Sequence, residues 1–412
     1  MPAHLNSPLT LPCGAVLKNR IAKGAMTEGL ANPLNQATEE HVTLYRRWAK
    51  GGCGMLLTGN VQVDRRHLER PGNVAIDGND GLAALAAYAA AGRENNTHIW
   101  MQINHPGRQA GVTAEGLAGP SAGTYGDAPV RALDGAEVED LVRRFVHVAR
   151  TAQQTGFTGV QVHSAHGYLM SQFLSPLTNH RTDAWGGSLE NRARLLVDVT
   201  RAIRAAVGAE FPVSVKLNSS DFQKGGLTED ESCEVVRWLC DAGMDLLEIS
   251  GGNYESQVMV GRDQSGELIS RTKKASTIAR EAYFLEFAAK LRPQVTVPLM
   301  VTGGFRTLSA MEAALASGEV DVIGLARPLC IDADLPNQLL AGTIARLPSP
   351  EEETTVDTGS SIAYYFNQVR KLAAGEDADR DIDWAEQLQR HSDFDGAAEV
   401  RYRAALSEAA TA

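Results

Sequence analysis

Five cysteines are few for 412 residues, and no two of them fall as Cys-x-x-Cys. Cys13, Cys53, Cys233, Cys240 and Cys330 therefore support neither a disulfide framework nor a zinc ribbon, and they read as reduced, buried thiols. Basic residues are also in deficit, with 39 Lys and Arg against 50 Asp and Glu, a formal charge of −11. An acidic chain with no basic stripe is a poor partner for nucleic acid or anionic lipid, which leaves small molecules. No apolar run reaches the length of a membrane span, and the opening residues carry neither the positive cluster nor the apolar stretch of a secretory signal. The expected location is cytoplasmic. A G-x-G-x-x-G fingerprint is missing after every candidate strand, so an open dinucleotide-binding sheet loses its main support.

Short runs rich in β-branched residues, alternating with longer stretches of helical period, are what the chain does contain. There are eight such runs: Ile21–Met26, Met55–Val61, His98–Asn104, Gly159–His163, Val213–Leu217, Leu246–Ser250, Val297–Thr302 and Val322–Leu325. Between two of them, Leu195, Leu196, Val199, Ile203 and Val207 recur at three-to-four spacing, which predicts an amphipathic helix over Glu190–Val207 behind a Ser188 N-cap. Eight strand-then-helix units imply an α/β fold of the (β/α)8 TIM-barrel type. Ahead of the first strand, Leu9–Leu17 reads as a hairpin closing the bottom of the barrel, with turn chemistry at Pro12 and Gly14.

The character changes after residue 345. Residues 346–412 hold 7 Lys and Arg against 14 Asp and Glu, a net −7, yet they also contain Tyr364, Tyr365, Phe366, Trp384 and Phe394. So many aromatics argue against a solvated tail. The division expected is a barrel over 1–345 and an acidic helical extension over 346–412, packed on the barrel or on a partner subunit in a homo-oligomer.

Chemistry in such a barrel collects where strands end. The fourth run closes on His163, His166 and Tyr168, two imidazoles and a phenol within six residues. One histidine at a strand end is ordinarily structural, whereas three polar rings together point to a pocket. His-x-x-His could also be a metal pair, but no carboxylate or cysteine stands at ligand spacing beside it, so no metal is expected. The fifth run ends on Lys216, a cation with two possible uses: anion stabilisation, or Schiff-base attack in a lyase.

The thirty residues from His163 to Arg192, opening His-Ser-Ala-His-Gly-Tyr and closing Trp-Gly-Gly-Ser-Leu-Glu-Asn-Arg, closely resemble the signature segment of the old yellow enzyme family of FMN-dependent ene-reductases. Leu17–Ile21, Ala25–Thr27, the stretch around Gln102, Gly303-Gly304 and Gly324–Pro328 extend the resemblance over roughly residues 5 to 345. It implies tightly bound, non-covalent FMN and NADH or NADPH as reductant. The resemblance places Gly303, Gly304, Ala326 and Arg327 at the flavin phosphate, where backbone N–H groups and a guanidinium suit a dianion. Gln102 would meet the pyrimidine edge, Thr27 the C4 oxygen, and Gly24, Ala25, Met26 and Asn60 the ring walls. Lys216 would face the N1–O2 edge, where many family members carry Arg; the charge is kept and the bidentate fork lost.

In the same resemblance, His163 and His166 hold the oxygen of an electron-poor alkene and Tyr168 protonates its carbon. Iron–sulfur branches of the family carry four closely spaced cysteines after the last strand, and here Cys330 stands alone, so direct nicotinamide reduction is implied. The long connection from Gly251 to about Tyr283 is expected to form a lid. Two other readings stay open: a Schiff-base lyase acting through Lys216, and a flavin-binding barrel without turnover.

Overall fold

The structure, a computed structural model, describes residues 3–251, 284–353 and 356–411. Eight parallel strands close into a barrel: β1 Ile21–Lys23, β2 Met55–Gln62, β3 His98–Asn104, β4 Gly159–Ser164, β5 Val213–Asn218, β6 Leu246–Ser250, β7 Leu299–Thr302 and β8 Val322–Leu325. β8 pairs back on β1, with Ile323 opposite Ile21, so no edge is left open. This is the expected TIM barrel. The first strand is shorter than its sequence pattern, because after Lys23 the Gly24 N–H makes one last bond to the Leu325 carbonyl and the backbone leaves the ladder for the barrel mouth.

Helices α1 Glu39–Lys50, α2 Leu82–Gly92, α3 Gly135–Gln154, α4 Leu189–Val207, α5 Glu229–Asp241, α6 Leu285–Leu291 and α7 Leu308–Ser317 surround the sheet. Local chemistry sets their starts. Asp134 caps α3 and Thr228 caps α5, each in a reciprocal box with a glutamate three residues on, and Ser188 accepts the Asn191 N–H at the head of α4. α4 is the helix expected over Glu190–Val207, begun one residue earlier.

The barrel floor is apolar. Leu9–Thr10 and Val16–Leu17 pair as the expected hairpin, and Leu9, Leu11 and Leu17 pack against Met55, Trp100, Leu246, Met300 and Val322 at the N-terminal strand ends. That plug closes this end of the barrel, and chemistry is expected at the opposite mouth. Three short strands, Leu117–Gly119, Gly123–Tyr125 and Ala128–Ala132, form a small sheet between β3 and α3 that the run pattern did not announce.

The extension folds back on its own barrel as α8 Thr358–Ala373 and α9 Trp384–Thr411. Tyr364 is fully buried and meets Trp384 edge-on, with ring centroids 5.5 Å apart, which explains the aromatics in an acidic segment. Of the five thiols, Cys53, Cys233 and Cys330 are buried, whereas Cys13 and Cys240 are only partly so. The connection expected as a lid falls at residues 252–283, outside the described residues. Among the described residues, no helix is long and apolar enough to cross a membrane.

Candidate active site

A cavity of about 460 Å³ opens at the C-terminal mouth of the barrel, within the range of pockets that take cofactors. Ala25, Met26, Thr27, Asn60, Gln102, His163, His166, Tyr168, Lys216, Gly303, Gly304, Ala326 and Arg327 all line it. Gly24 is the one residue expected there that does not. It lies behind the wall, where a side chain would come within 2.9 Å of Thr302 Cγ2, so its part is to let β1 pass the end of β7.

The polar rings at the end of β4 form one cluster. His163 stands edge-on to both His166 and Tyr168, with ring centroids at 5.1 and 5.0 Å. Burial, and then the charge of Lys216, push both imidazoles well below their ordinary pKa, so both are neutral at pH 7. The tautomer of His163 follows from its partner: Nδ1 accepts the Ala165 N–H at 3.2 Å, which leaves the proton on Nε2. His166, in left-handed backbone at φ 63°, has its Nε2 at 2.7 Å from Ser250 Oγ.

Beneath the floor runs a relay the sequence did not reveal. Gln102 Nε2 donates to Gln161 Oε1 at 2.7 Å, Gln161 Nε2 donates to Glu248 Oε2 at 2.9 Å, and Glu248 pairs with Lys216 Nζ at 3.0 Å. Glu248 is wholly buried. Two consequences follow. The amide of Gln102 is oriented from below, and Lys216 is an ion-paired ammonium, not the lone cation its position suggested. An amine so engaged is a poor carbonyl nucleophile, which weighs against the lyase reading.

At the other end, after β7 and β8, Gly303 and Gly304 take φ values of 107° and 92°, open to glycine alone at no cost. Gly324 cannot be replaced either, because an added Cβ would sit 2.0 Å from Thr302 Oγ1. That hydroxyl oxygen is buried at the cavity without a hydrogen-bond partner among the described residues. Arg327 lies there, 2.7 Å from the buried Glu351, and Arg306, absent from the sequence expectations, lies 3.7 Å from the same carboxylate. Burial raises the Glu351 pKa, but Arg327, the Tyr365 hydroxyl and Arg306 together outweigh it and hold the group below the usual carboxylate range. Glu352 also lies 3.8 Å from Arg306 and pairs with Arg346 at 2.9 Å, so three guanidiniums meet two carboxylates and the end stays net positive.

The roof is also new. Ile362, Tyr365, Phe366 and Val369 of α8 and His391 and Asp395 of α9 line the same cavity. Arg70, from the loop after β2, lies over the Phe366 ring at 3.8 Å and reaches Asp395 Oδ1 at 2.6 Å, and Phe366 stacks flat on His391 at 4.9 Å. Only the aromatic content of the extension could have hinted at this.

A cationic end with close-approach glycines and an unpartnered hydroxyl, a flat apolar wall at Ala25 and Met26, and an oriented amide beside an ammonium together fit FMN. Residues 4–344 match the NADH:flavin oxidoreductase / NADH oxidase family. The chain belongs to this family. It is 38% identical over 364 residues to an NADH-dependent flavin oxidoreductase of Talaromyces variabilis, covering 82% of this chain and 86% of that one. It is 41% identical over 361 residues to another NADH-dependent flavin oxidoreductase from a Neonectria strain, where the match spans 81% of this chain and 46% of the relative, so that relative is about twice as long as the matched part. Among solved structures, an old yellow enzyme homologue from Zymomonas mobilis superposes with TM-score 0.68 at 25% identity, over 87% of this chain and 98% of that chain. The implied cofactors are therefore FMN and a nicotinamide.

Proposed function

We propose that the protein reduces electron-poor C=C bonds, conjugated to a carbonyl or nitro group, at the expense of NADH or NADPH. The observation that carries this reading is the convergence of neutral His163, neutral His166 and Tyr168 on one face of the cavity. When bound, FMN supplies two-electron transfer between nicotinamide and alkene. Arg327, Arg306 and the N–H groups of Gly303 and Gly304 would hold its phosphate, while Gln102, Lys216 and Thr27 would hold the ring edge.

The remaining chemistry belongs to side chains. His163 presents Nε2–H as a donor to the carbonyl or nitro oxygen, where negative charge builds as the double bond is reduced. A neutral imidazole suits this task, since it stabilises the oxygen without surrendering its proton at neutral pH. His166 flanks the same position, its ring fixed by Ser250. Tyr168 holds the proton destined for the α-carbon at its phenolic oxygen. Among the described residues the hairpin seals the floor and α8 lines the roof, so alkene and nicotinamide would share the cavity in turn.

The test is a visible spectrum of the purified protein under anaerobic conditions. A flavin spectrum bleached by NADH or NADPH, and restored by an α,β-unsaturated ketone, is the expected result. A colourless protein, or a yellow one that nicotinamide does not bleach, would sink the proposal.

A further inference from the structure

Glu69, on the loop after β2, is a carboxyl in the flavin cavity that the mechanism above does not use. Its Oε2 lies 3.1 Å from Thr27 Oγ1, and the same hydroxyl is 3.2 Å from Asn60 Oδ1. A threonine hydroxyl has one proton, so it cannot donate to both. Asn60 Oδ1 already accepts Asn73 Nδ2 at 3.0 Å, and Asn73 Nδ2 lies 3.5 Å from Glu69 Oε2. The choice is left to Glu69. As a carboxylate it is acceptor only, and the charge-assisted bond draws the Thr27 proton toward it and away from the cavity. As a carboxylic acid it donates to Thr27 Oγ1, and the Thr27 proton turns to Asn60 or to an acceptor in the cavity.

We propose that Glu69 is a positioning residue that sets, through Thr27, whether the bound flavin meets a hydroxyl donor or a hydroxyl oxygen, and so couples flavin reduction potential to the protonation of one carboxyl. This rests on the flavin reading above. Among the described residues, the charged groups facing Glu69 are Arg70 on its own loop and Asp395 of α9, which Arg70 and Arg370 both engage. His391 lies 3.4 Å from Arg70, and burial together with Arg70 takes it down to about 4, so it stays neutral above mildly acidic pH. Burial lifts the Glu69 pKa more than Arg70, Thr27 and Asn73 lower it. Its titration is thereby moved upward from the ordinary carboxyl range.

Potentiometry of the FMN-loaded protein, carried upward from the ordinary carboxyl range until the difference between proteins is constant, tests the idea. Glu69→Gln mimics the protonated acid, because its amide can donate to Thr27. Wild type and Glu69→Gln should share one potential at the acid end, and the wild type should fall progressively below the variant as pH rises. In a Thr27→Val background the gap produced by Glu69→Gln should shrink by more than half, leaving only the through-space charge. Should Glu69→Gln not fold, Thr27→Val alone should lose most of the pH-dependent departure. Superimposed curves for wild type and Glu69→Gln, or a gap unchanged by Thr27→Val, would overturn the role of Glu69 while leaving the flavin site standing. A wild-type protein that binds no FMN would overturn both.

Discussion

Removing the charge of Glu248 should destabilise the protein far more than a one-atom change suggests. At the observed 3.0 Å separation from Lys216, two unit charges in an effective dielectric of about 20 attract by roughly 5–6 kcal/mol. Glu248→Gln keeps an oxygen for Gln161 Nε2 and keeps the side-chain shape, so what it loses is the pairing. The ammonium is then buried without a counter-charge, a loss expected to cost about 3–5 kcal/mol. Lys216→Met should cost a similar amount by stranding the carboxylate. The double variant strands neither, and it should unfold closer to the wild type than the two single losses together predict, with a coupling of about 2–3 kcal/mol. Urea denaturation of the flavin-free protein, followed by circular dichroism with the slope checked for constancy, measures all three. Single variants within about 0.5 kcal/mol of wild type, the scatter of ordinary surface changes, would refute the reasoning. So would additive losses.

Arg327→Ala removes a charge-assisted pair from the phosphate end, a loss of about 1.5–3 kcal/mol; equilibrium dialysis should show FMN binding about 10–100-fold weaker. Tyr168→Phe should leave flavin reduction by nicotinamide near normal in stopped flow while slowing reoxidation by an enone about 10²-fold or more, with a nitroalkene much less affected because its product can take a proton from water. Glu351, whose pKa is lower folded than unfolded, contributes stability above the ordinary carboxyl range that is lost as pH falls through its depressed value. Plots of urea midpoint against pH should accordingly show a shallower acid decline for Glu351→Gln than for the wild type.

The barrel was legible because its signal is repeated eight times. Each strand buried on both faces leaves a continuous β-branched run, and each outer helix leaves a stripe at three-to-four spacing. Boundaries blurred where backbone pairing, not side-chain pattern, ends a strand: Ala25 and Met26 continue the apolar run of β1 but line the cavity instead of joining the ladder. The small sheet over Leu117–Ala132 escaped for a related reason. Its strands are short, and residues such as Gly123, Thr124, Pro129 and Arg131 are exposed, so no hydrophobic alternation records them.

At the site, the residues that could be read were those whose chemistry is local in the chain. His163, His166 and Tyr168 share one strand end, and Gly303 with Gly304 forms one turn. The missed residues act across the chain. Glu248 lies 32 positions from the Lys216 it neutralises, and Asp395 lies 325 from Arg70. A buried carboxylate leaves no periodic mark, and its partner is fixed only once β5 and β6 stand in register, with Lys216 opposite Glu248. The extension carries this furthest. Its aromatics already argued for packing, but its net charge of −7 gave no sign that Glu351 and Asp395 would turn inward against arginines of the mouth. These two carboxylates hold Arg327, Arg306, Arg70 and Arg370, so the extension completes the cavity and does not merely decorate the barrel.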